Sequence, residues 1–277
     1  MNGSDTSVFG EDDRWMVFWR STPDGYPLSV SVRMNNPHIQ DLVNRGILTG
    51  FRFDLTVEHT RDDGMPSDVG QLQDFEVRLL KEVELLDVGA CHVASVTGDG
   101  GRWTYLGHER PIDFGPLASL FQEHGVQASA SVVSDREALI GLISPTSVEQ
   151  QLNDDIGVIS NLEKEGDDGR APRRTDFWFY GDRSRLDEFA AELAPRRYAI
   201  DRRLDDPEGI VLYSETAVDF GTFQEITPVL VGAAERHSVI YDGWETFVVR
   251  PNSPAPDLPA KPKSQSLLSK LFGAKKN

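Results

Sequence analysis

The chain has 277 residues, 39% of them hydrophobic, which is enough to bury the cores of two domains of ordinary size. The formal net charge of −17 disfavours direct binding of nucleic acid, because such binding depends on neutralising phosphates. The sequence lacks an apolar run of about 18 residues, which predicts no membrane-spanning helix and no stable membrane association.

The N-terminal segment is polar and acidic, and it lacks the apolar stretch of a secretory signal. We therefore expect a cytoplasmic protein that begins with a loose arm over residues 1–13. Cys91 is the single cysteine, so an intrachain disulfide is impossible, and its apolar neighbours predict a buried thiol.

Residues 14–145 predict an N-terminal α+β domain with a mainly antiparallel sheet. Trp15–Arg20 and Leu28–Arg33 flank the turn residues Pro23-Asp24-Gly25, an arrangement typical of a β-hairpin. Ser67–Leu86 carries apolar residues at helical spacing. The other predicted elements are helices over 37–44 and 116–123 and strands over 48–57, 90–97, 102–108 and 126–133.

Residues 146–172 predict a helix over Ser147–Glu165 and then a linker that is polar, rich in glycine and ended by Pro172. Residues 173–250 follow with strands and helices in the order β-α-β-β-α-β. This order is that of the split βαβ, ferredoxin-like sandwich. The predicted strands are 176–180, 198–203, 210–216 and 246–249, and the predicted helices are 184–194 and 222–237.

Residues 251–277 predict a disordered tail that is first proline-rich and then basic. The tail has five lysines and one acid, Asp257, so the rest of the chain is even more acidic than the whole. The predicted fold class is thus α+β, with two domains and a tail.

The run DFWFYGDRSRLDEFAAEL over 176–193 and the motif Tyr241-Asp242-Gly243-Trp244-Glu245 resemble the RraB family, the regulators of ribonuclease E activity B. The resemblance extends over about 162–250. It implies a non-catalytic, acidic protein that binds the arginine-rich scaffold region of ribonuclease E and inhibits the enzyme.

The N-terminal half resembles a bacterial domain of unknown function that is often fused ahead of an RraB-like domain. The residues that carry this similarity are the Trp15 strand, the turn over 23–27, Asp63-Gly64-Met65-Pro66 and the hairpin over 97–105. That family implies no chemistry for this half of the chain.

The expected partner is ribonuclease E or another basic protein, because an arginine can stack on an aromatic ring and pair with a carboxylate at once. Trp178 and Tyr180 share one face of the first C-terminal strand, and they are either exposed or covered by the other domain. Tyr241 and Trp244 are expected to pack structurally more readily than to meet a partner. The candidate partner-binding residues are Trp178, Tyr180, Asp205, Asp206, Glu208, Tyr241, Asp242 and Trp244.

The sequence contains no metalloprotease, nucleophile-elbow or phosphate-loop motif, so we predict no catalytic residue, no metal and no cofactor. Paired aspartates could form a nuclease-like metal site, but solvated turn acids are the simpler interpretation. The pairs are Asp62-Asp63, Asp154-Asp155, Asp167-Asp168 and Asp205-Asp206.

Two other functions remain open. One is an enzyme whose site lies in the N-terminal domain or in an interdomain cleft, with His92, His108 and Arg102 gathered around an ion. The other is a scaffold protein that docks through its tail. The sequence does not determine the oligomeric state.

Overall fold

The computed structural model describes residues 14–250, except Asn35, Leu55, Thr56, His124 and Gly125. The predicted arm over 1–13 and the predicted tail over 251–277 lie outside these residues. Main-chain contacts divide the chain into two compact units, 1–145 and 146–277. Each unit combines helices with an antiparallel sheet, which confirms the α+β fold class. Within the described residues, none of the helices has the length and apolar character needed to cross a membrane.

The N-terminal unit is built on a six-stranded sheet in which each neighbouring pair is antiparallel. The strands follow one another across the sheet as β1-β2-β4-β5-β3-β6, so β1 and β6 are its two edges. Their bounds are β1 Arg14–Ser21, β2 Pro27–Met34, β3 Ile47–Asp54, β4 Cys91–Gly98, β5 Gly101–His108 and β6 Gln127–Val132.

Apolar clusters cover both faces of this sheet. Leu48 of β3 packs in the cluster that holds helices α1 and α4. Phe51 and Phe53 of the same strand pack in the cluster that holds α2 and α3, because side chains of a strand alternate between faces. The helices are α1 Pro37–Arg45, α2 Val69–Leu85, α3 Gly115–Glu123 and α4 Arg136–Ile143, and a 3-10 turn spans Val57–His59.

Helix α4 is absent from the sequence prediction. Its N-cap is Asp135, whose side chain accepts a hydrogen bond from the main-chain N–H of Ala138. Leu139 and Ile143 are its buried residues. Five of its eight residues are apolar and four of them are large, so a one-sided helical period does not stand out in so short a segment.

The C-terminal unit has a four-stranded antiparallel sheet in the order β10-β7-β9-β8. The first and last of its strands are therefore neighbours, as the split βαβ arrangement requires. The strands are β7 Arg173–Tyr180, β8 Ala199–Asp205, β9 Glu208–Thr216 and β10 Ile240–Thr246. The helices are α5 Ser147–Lys164, α6 Arg183–Leu193 and α7 Phe220–His237, and a 3-10 turn spans Ala194–Arg196.

Helix α5 is an integral part of this unit. Thr146 and Glu149 form a capping box at its start, which satisfies two main-chain N–H groups. Ile159 and Leu162 are buried in the same core as Phe177 and Phe179, and α5 packs against α7.

The prediction of the last strand was wrong. The sequence favoured a turn at the YDGW motif and then a strand over 246–249. In the structure the YDGW residues are part of strand β10 and do not form a turn. Asp242 is an extra residue in the ladder, because Tyr241 pairs with Phe179 and Gly243 with Trp178. Such a bulge shifts the side-chain alternation by one. Tyr241 and Trp244 consequently both pack against the core, although they are three residues apart.

Asp167, in the segment over 165–172, forms a buried ion pair with Arg173 at the start of β7. The interpretation of Asp167 as a solvated turn acid was therefore wrong. The carboxylate of Asp167 accepts from both terminal nitrogens of Arg173, and both side chains are 1% exposed. It also accepts from the main-chain N–H groups of Gly169, at 3.0 Å, and Val249, at 2.7 Å. The pair thereby links this segment to Arg173 at the start of β7. It also holds the main chain at Val249, which follows β10.

We expect Asp167→Ala to lower the free energy of unfolding by about 3–5 kcal/mol, because it leaves Arg173 buried without a counter-ion. Asp168→Ala is the matched control, since the neighbouring side chain is exposed. Urea unfolding of both variants measures the difference, and equal stability would contradict the structural role of the pair.

The same ion pair predicts a pH dependence. Burial raises the pKa of Asp167, but hydrogen bonds from Arg173, Val249 and Gly169 outweigh burial and hold the pKa below its usual value of 3.8. The stabilisation is therefore present above about pH 4 and is lost as pH falls through the lowered pKa. The stability difference between the wild type and Asp167→Ala should shrink in acid.

Candidate functional site

Strand β7 divides its aromatic side chains between the two faces of the C-terminal sheet. Phe177 and Phe179 are fully buried against the helices. Trp178 lies on the opposite face and is partly exposed. We call this second face, which none of the helices of the C-terminal core cluster covers, the open face.

Two arginines lie over aromatic rings on the open face. The guanidinium carbon of Arg202 lies 4.8 Å from the centre of the Trp178 ring. That of Arg174 lies 4.5 Å from the centre of the Tyr213 ring. Both distances are within the range of a cation–π interaction.

Both arginines also form ion pairs with aspartates. Arg174 lies 2.8 Å from Asp176 and 2.6 Å from Asp201, and Arg202 lies 2.6 Å from Asp201. Hydrogen bonds from Arg174 and then from Arg202 lower the pKa of Asp201, and Asp176 and Asp201 raise the pKa of Arg174. We call this group the guanidinium cluster; it consists of Arg174, Asp176, Trp178, Asp201, Arg202 and Tyr213.

The hairpin between β8 and β9 is acidic and exposed. Asp205, Asp206 and Glu208 all lie at its tip, and the side chain of Asp205 is 90% exposed. Arg183 of α6 lies 2.9 Å from Asp205 and 3.9 Å from Glu208. The tip carries more negative than positive charge, and Asp205, Asp206 and Glu208 are all exposed.

Of the predicted aromatic residues, Trp178 is the one that lies partly exposed on the open face. Tyr180 shares the open face with Trp178 but is buried, and it pairs with Gly209 next to the hairpin. Tyr241 stacks on Phe179 at 4.8 Å, within the core. Asp242 is partly exposed at the bulge of β10.

Trp244 is buried and is held by a buried carboxylate. Its ring stacks on Phe223 at 4.3 Å, and its indole N–H donates to Asp155 at 2.9 Å. Asp155 also accepts from the hydroxyl of Thr227 at 2.7 Å and from the amide of Gln151 at 3.0 Å. The structure therefore gives Trp244 a role inside the core, and it joins α5, α7 and β10 at one point.

The interpretation of Asp155 as a solvated turn acid was wrong, since this side chain is fully buried. Burial raises its pKa more than its three hydrogen bonds lower it. Among the residues that the structure describes, the hydroxyl of Tyr241 has no hydrogen-bond partner although it is buried, and burial and then the charges of Asp155 and Tyr198 raise its pKa. Asp155 lies four residues before the buried Ile159, so a charge on the inner face of α5 was the available signal.

The N-terminal unit contains a second buried carboxylate. Glu76 of α2 accepts from Arg102 at 2.7 and 3.0 Å, from Thr104 at 2.7 Å, and from Ser95. His92 lies 2.8 Å from Ser95 and 3.7 Å from Glu76, and burial first of all lowers its pKa to about 4. These side chains satisfy one another inside the core, and Ser95 is fully buried.

His108 does not join this group. Its Nδ1–H donates to the carbonyl of Arg110 at 2.7 Å, and its Nε2 accepts from the hydroxyl of Thr49 at 3.0 Å. Over the described ranges, no three His, Cys, Asp or Glu side chains are arranged to hold a metal ion. Cys91 is buried, as its apolar neighbours predicted.

Sequence reasoning missed most of the guanidinium cluster. It named Trp178 but none of the two arginines, the two aspartates or Tyr213. The spacing of Arg174, Asp176 and Trp178, each two residues apart, was the signal that they share one face of a strand. The contacts with β8 and β9 depend on strand pairing, which the sequence does not state.

We expect Asp155→Ala to destabilise the protein by about 2–4 kcal/mol, because it leaves the Trp244 N–H and the Thr227 hydroxyl buried without an acceptor. Asp154→Ala is the control, because this neighbour on the same helix is exposed. Thermal or urea unfolding gives both values. A penalty for Asp155→Ala no larger than for its control would contradict the role of this carboxylate.

Asp155→Asn separates the charge from the hydrogen bonds. Because the pKa of Asp155 is raised above its usual value of 3.8, its favourable contribution is complete in acid and is lost as pH rises through the raised pKa. The asparagine variant should therefore gain stability relative to the wild type as pH rises towards neutrality. A difference that does not change with pH would be the contrary result.

The comparison with protein families covers part of the chain. The model of the RraB family, described as Regulator of ribonuclease activity B, matches residues 152–246. No curated protein matches the chain. The matched segment contains Asp155, the guanidinium cluster, the acidic hairpin and Trp244. Residues 152–246, in the C-terminal half of the chain, therefore match the RraB family, as the resemblance of the sequence predicted.

Proposed function

We propose that this chain is a non-catalytic regulator that binds ribonuclease E, or a similar arginine-rich RNA-processing protein, and lowers the rate of RNA cleavage. The family match supports the regulation of a ribonuclease. The choice of ribonuclease E, the inhibition and the binding surface are parts of the proposal.

The observation that carries the proposal is the acidic hairpin beside a face that holds arginines. Asp205, Asp206 and Glu208 are exposed, and a charge-assisted hydrogen bond to an arginine is about twice as strong as a neutral one. The net charge of −17 attracts a basic partner over a longer range and speeds the encounter.

The guanidinium cluster shows that this face binds guanidinium groups through an aromatic ring and a carboxylate. It also means that a partner's arginine has to compete with an arginine of this chain. Its own Arg202 covers Trp178, so an arginine of the partner reaches this ring by replacing Arg202. The replacement exchanges one guanidinium for another and keeps the contact with Asp201. We propose that the hairpin captures the partner first and that Trp178 then receives one of its arginines.

The direct test is RNA cleavage by purified ribonuclease E with and without the full chain. The proposal expects slower cleavage and a complex that weakens as salt rises, because exposed charges are screened. Unchanged cleavage together with no complex would overturn it. Loss of all binding after removal of residues 251–277 would assign the contact to the tail instead.

Neutralising the hairpin should weaken this complex. We expect Asp205→Asn, Asp206→Asn and Glu208→Gln together to reduce affinity about tenfold, mostly through slower association. The matched control changes the charge equally at exposed sites away from the hairpin, by Asp154→Asn, Glu225→Gln and Glu235→Gln. Surface plasmon resonance with an arginine-rich peptide compares the two. Equal losses would mean that total charge, not the hairpin, sets the affinity.

Two single substitutions in the guanidinium cluster should act in opposite directions. Trp178→Ala removes the ring and should weaken peptide binding by about two- to fivefold, as expected for an exposed cation–π contact. Arg202→Ala removes the internal competitor and should tighten binding by a similar factor. Weaker binding by both variants would argue that Arg202 orders the surface and is not displaced.

A further inference from the structure

Among the described residues, strand β1 forms one edge of the six-stranded sheet. It runs from Arg14 to Ser21 and forms its ladder with β2 alone among the strands of the described residues. An edge strand presents a row of main-chain donors and acceptors to any strand that can pair with it. Protected edges usually carry charges or are very short, and β1 is an eight-residue strand whose centre, Trp15–Trp19, is apolar.

The hairpin loop shows which main-chain groups point outwards. Thr22 donates its N–H to the carbonyl of Tyr26 at 2.8 Å, across a three-residue loop that ends at Gly25 with φ +88°. Hydrogen-bonded pairs recur at every second position of an antiparallel ladder. Counting back from Thr22, the pairs Arg20–Leu28 and Phe18–Val30 bond to β2, so the odd-numbered residues turn their N–H and C=O groups to the free edge.

The same odd-numbered residues expose apolar side chains. Trp15 is 39% exposed, Val17 56% and Trp19 61%, whereas Met16 and Phe18 between them are buried. The outward main-chain groups and the exposed side chains therefore belong to the same three residues. A strand that pairs here gains hydrogen bonds and buries an aromatic row at once.

We propose that β1 pairs antiparallel with β1 of a second copy, with Val17 opposite Val17 on a twofold axis. Trp15 of each copy then faces Trp19 of the other, and the two sheets become continuous. The row Trp-Val-Trp is its own complement in this register, which is the condition for a closed twofold interface. The pairing forms about six main-chain hydrogen bonds and two cross-strand tryptophan pairs.

A register shifted by two residues loses this match. It places one tryptophan opposite Val17 and leaves others without a partner. The other edges of the two sheets are less suited to self-pairing. Edge β6 exposes Val132 together with Gln127, Ser129 and Ser131, and edge β8 carries Asp201, Arg202 and Arg203. Edge β10 is interrupted by the bulge at Asp242, and bulges disfavour edge-to-edge pairing.

The proposed register has one electrostatic cost. Arg14 comes opposite Arg20 at each end, and both copies are acidic overall. Arg20 is drawn towards its own unit, because its guanidinium lies 4.5 Å from the centre of the Phe18 ring and donates to the carbonyl of Ser144 at 3.0 Å. Salt should therefore strengthen the dimer by screening like charges. This is opposite to the salt response expected for an arginine-rich partner.

Sedimentation velocity of the full chain over a range of protein and salt concentrations tests the proposal. The expected result is a monomer–dimer equilibrium whose dissociation constant falls as salt rises. A monomer under all conditions would overturn the proposal. Amide hydrogen exchange then shows whether another segment of the chain occupies the edge, since the N–H groups of Trp15, Val17 and Trp19 would be protected in that monomer.

The position on the twofold axis permits a stricter test. Val17→Lys should raise the dissociation constant about tenfold or more, because it places two lysines opposite each other. Val132→Lys is the control, since it puts the same residue at an exposed position of the other edge and should leave the dimer unchanged.

Mixing V17K with V17E should restore a dimer that contains one copy of each variant. Recovery of the mixed dimer excludes misfolding as the cause of the loss. A dimer that survives Val17→Lys, or variants that do not recover on mixing, would overturn the proposed register.

Discussion

The C-terminal unit depends on the placement of one buried carboxylate. Asp155 lies inside the core on α5, and the three donors around it come from α5, α7 and β10. A buried carboxylate is tolerated only when donors satisfy it, so these elements have little freedom to shift. Because β10 pairs with β7, and β7 carries Trp178, this constraint also orients the open face. Glu76 has a similar role in the N-terminal unit, where helix α2 places its carboxylate against donors on β4 and β5.

The sequence predicted the fold class and most elements because these depend on local patterns. Alternation identified β2 and β3, and helical spacing identified α2 and α7. Helix α4 was missed because it is short, and β10 was misplaced because Asp242-Gly243 has the composition of a turn although it forms a bulge. Asp155 and Asp167 were taken for solvated acids because their burial depends on partners such as Trp244 and Arg173, which lie elsewhere in the chain.

The candidate site was only partly predictable for the same reason. The acidic hairpin could be found because turn acids are exposed in most folds. The guanidinium cluster could not, because its members come from three strands whose order is set by pairing. Two kinds of surface result. On the open face the charges are largely paired within the chain, whereas the hairpin and the β1 edge present groups that a second molecule can satisfy. The RraB match, which suggests a regulator of ribonuclease activity, lies within the C-terminal unit, whereas the N-terminal unit has a sheet of different strand order.

The strand order of the C-terminal unit also bears on how the chain is made. β7 lies between β9 and β10, and β10 is synthesised last among the described strands of the unit. During translation, β7 therefore has no neighbour on one side until residue 246 has left the ribosome. Asp155 likewise lacks the indole N–H of Trp244, which is synthesised 89 residues later. The C-terminal unit therefore completes its sheet only after β10 has been synthesised. A premature stop before Ile240 would release a nascent chain with an unpaired central strand, which is a substrate for chaperones and proteases.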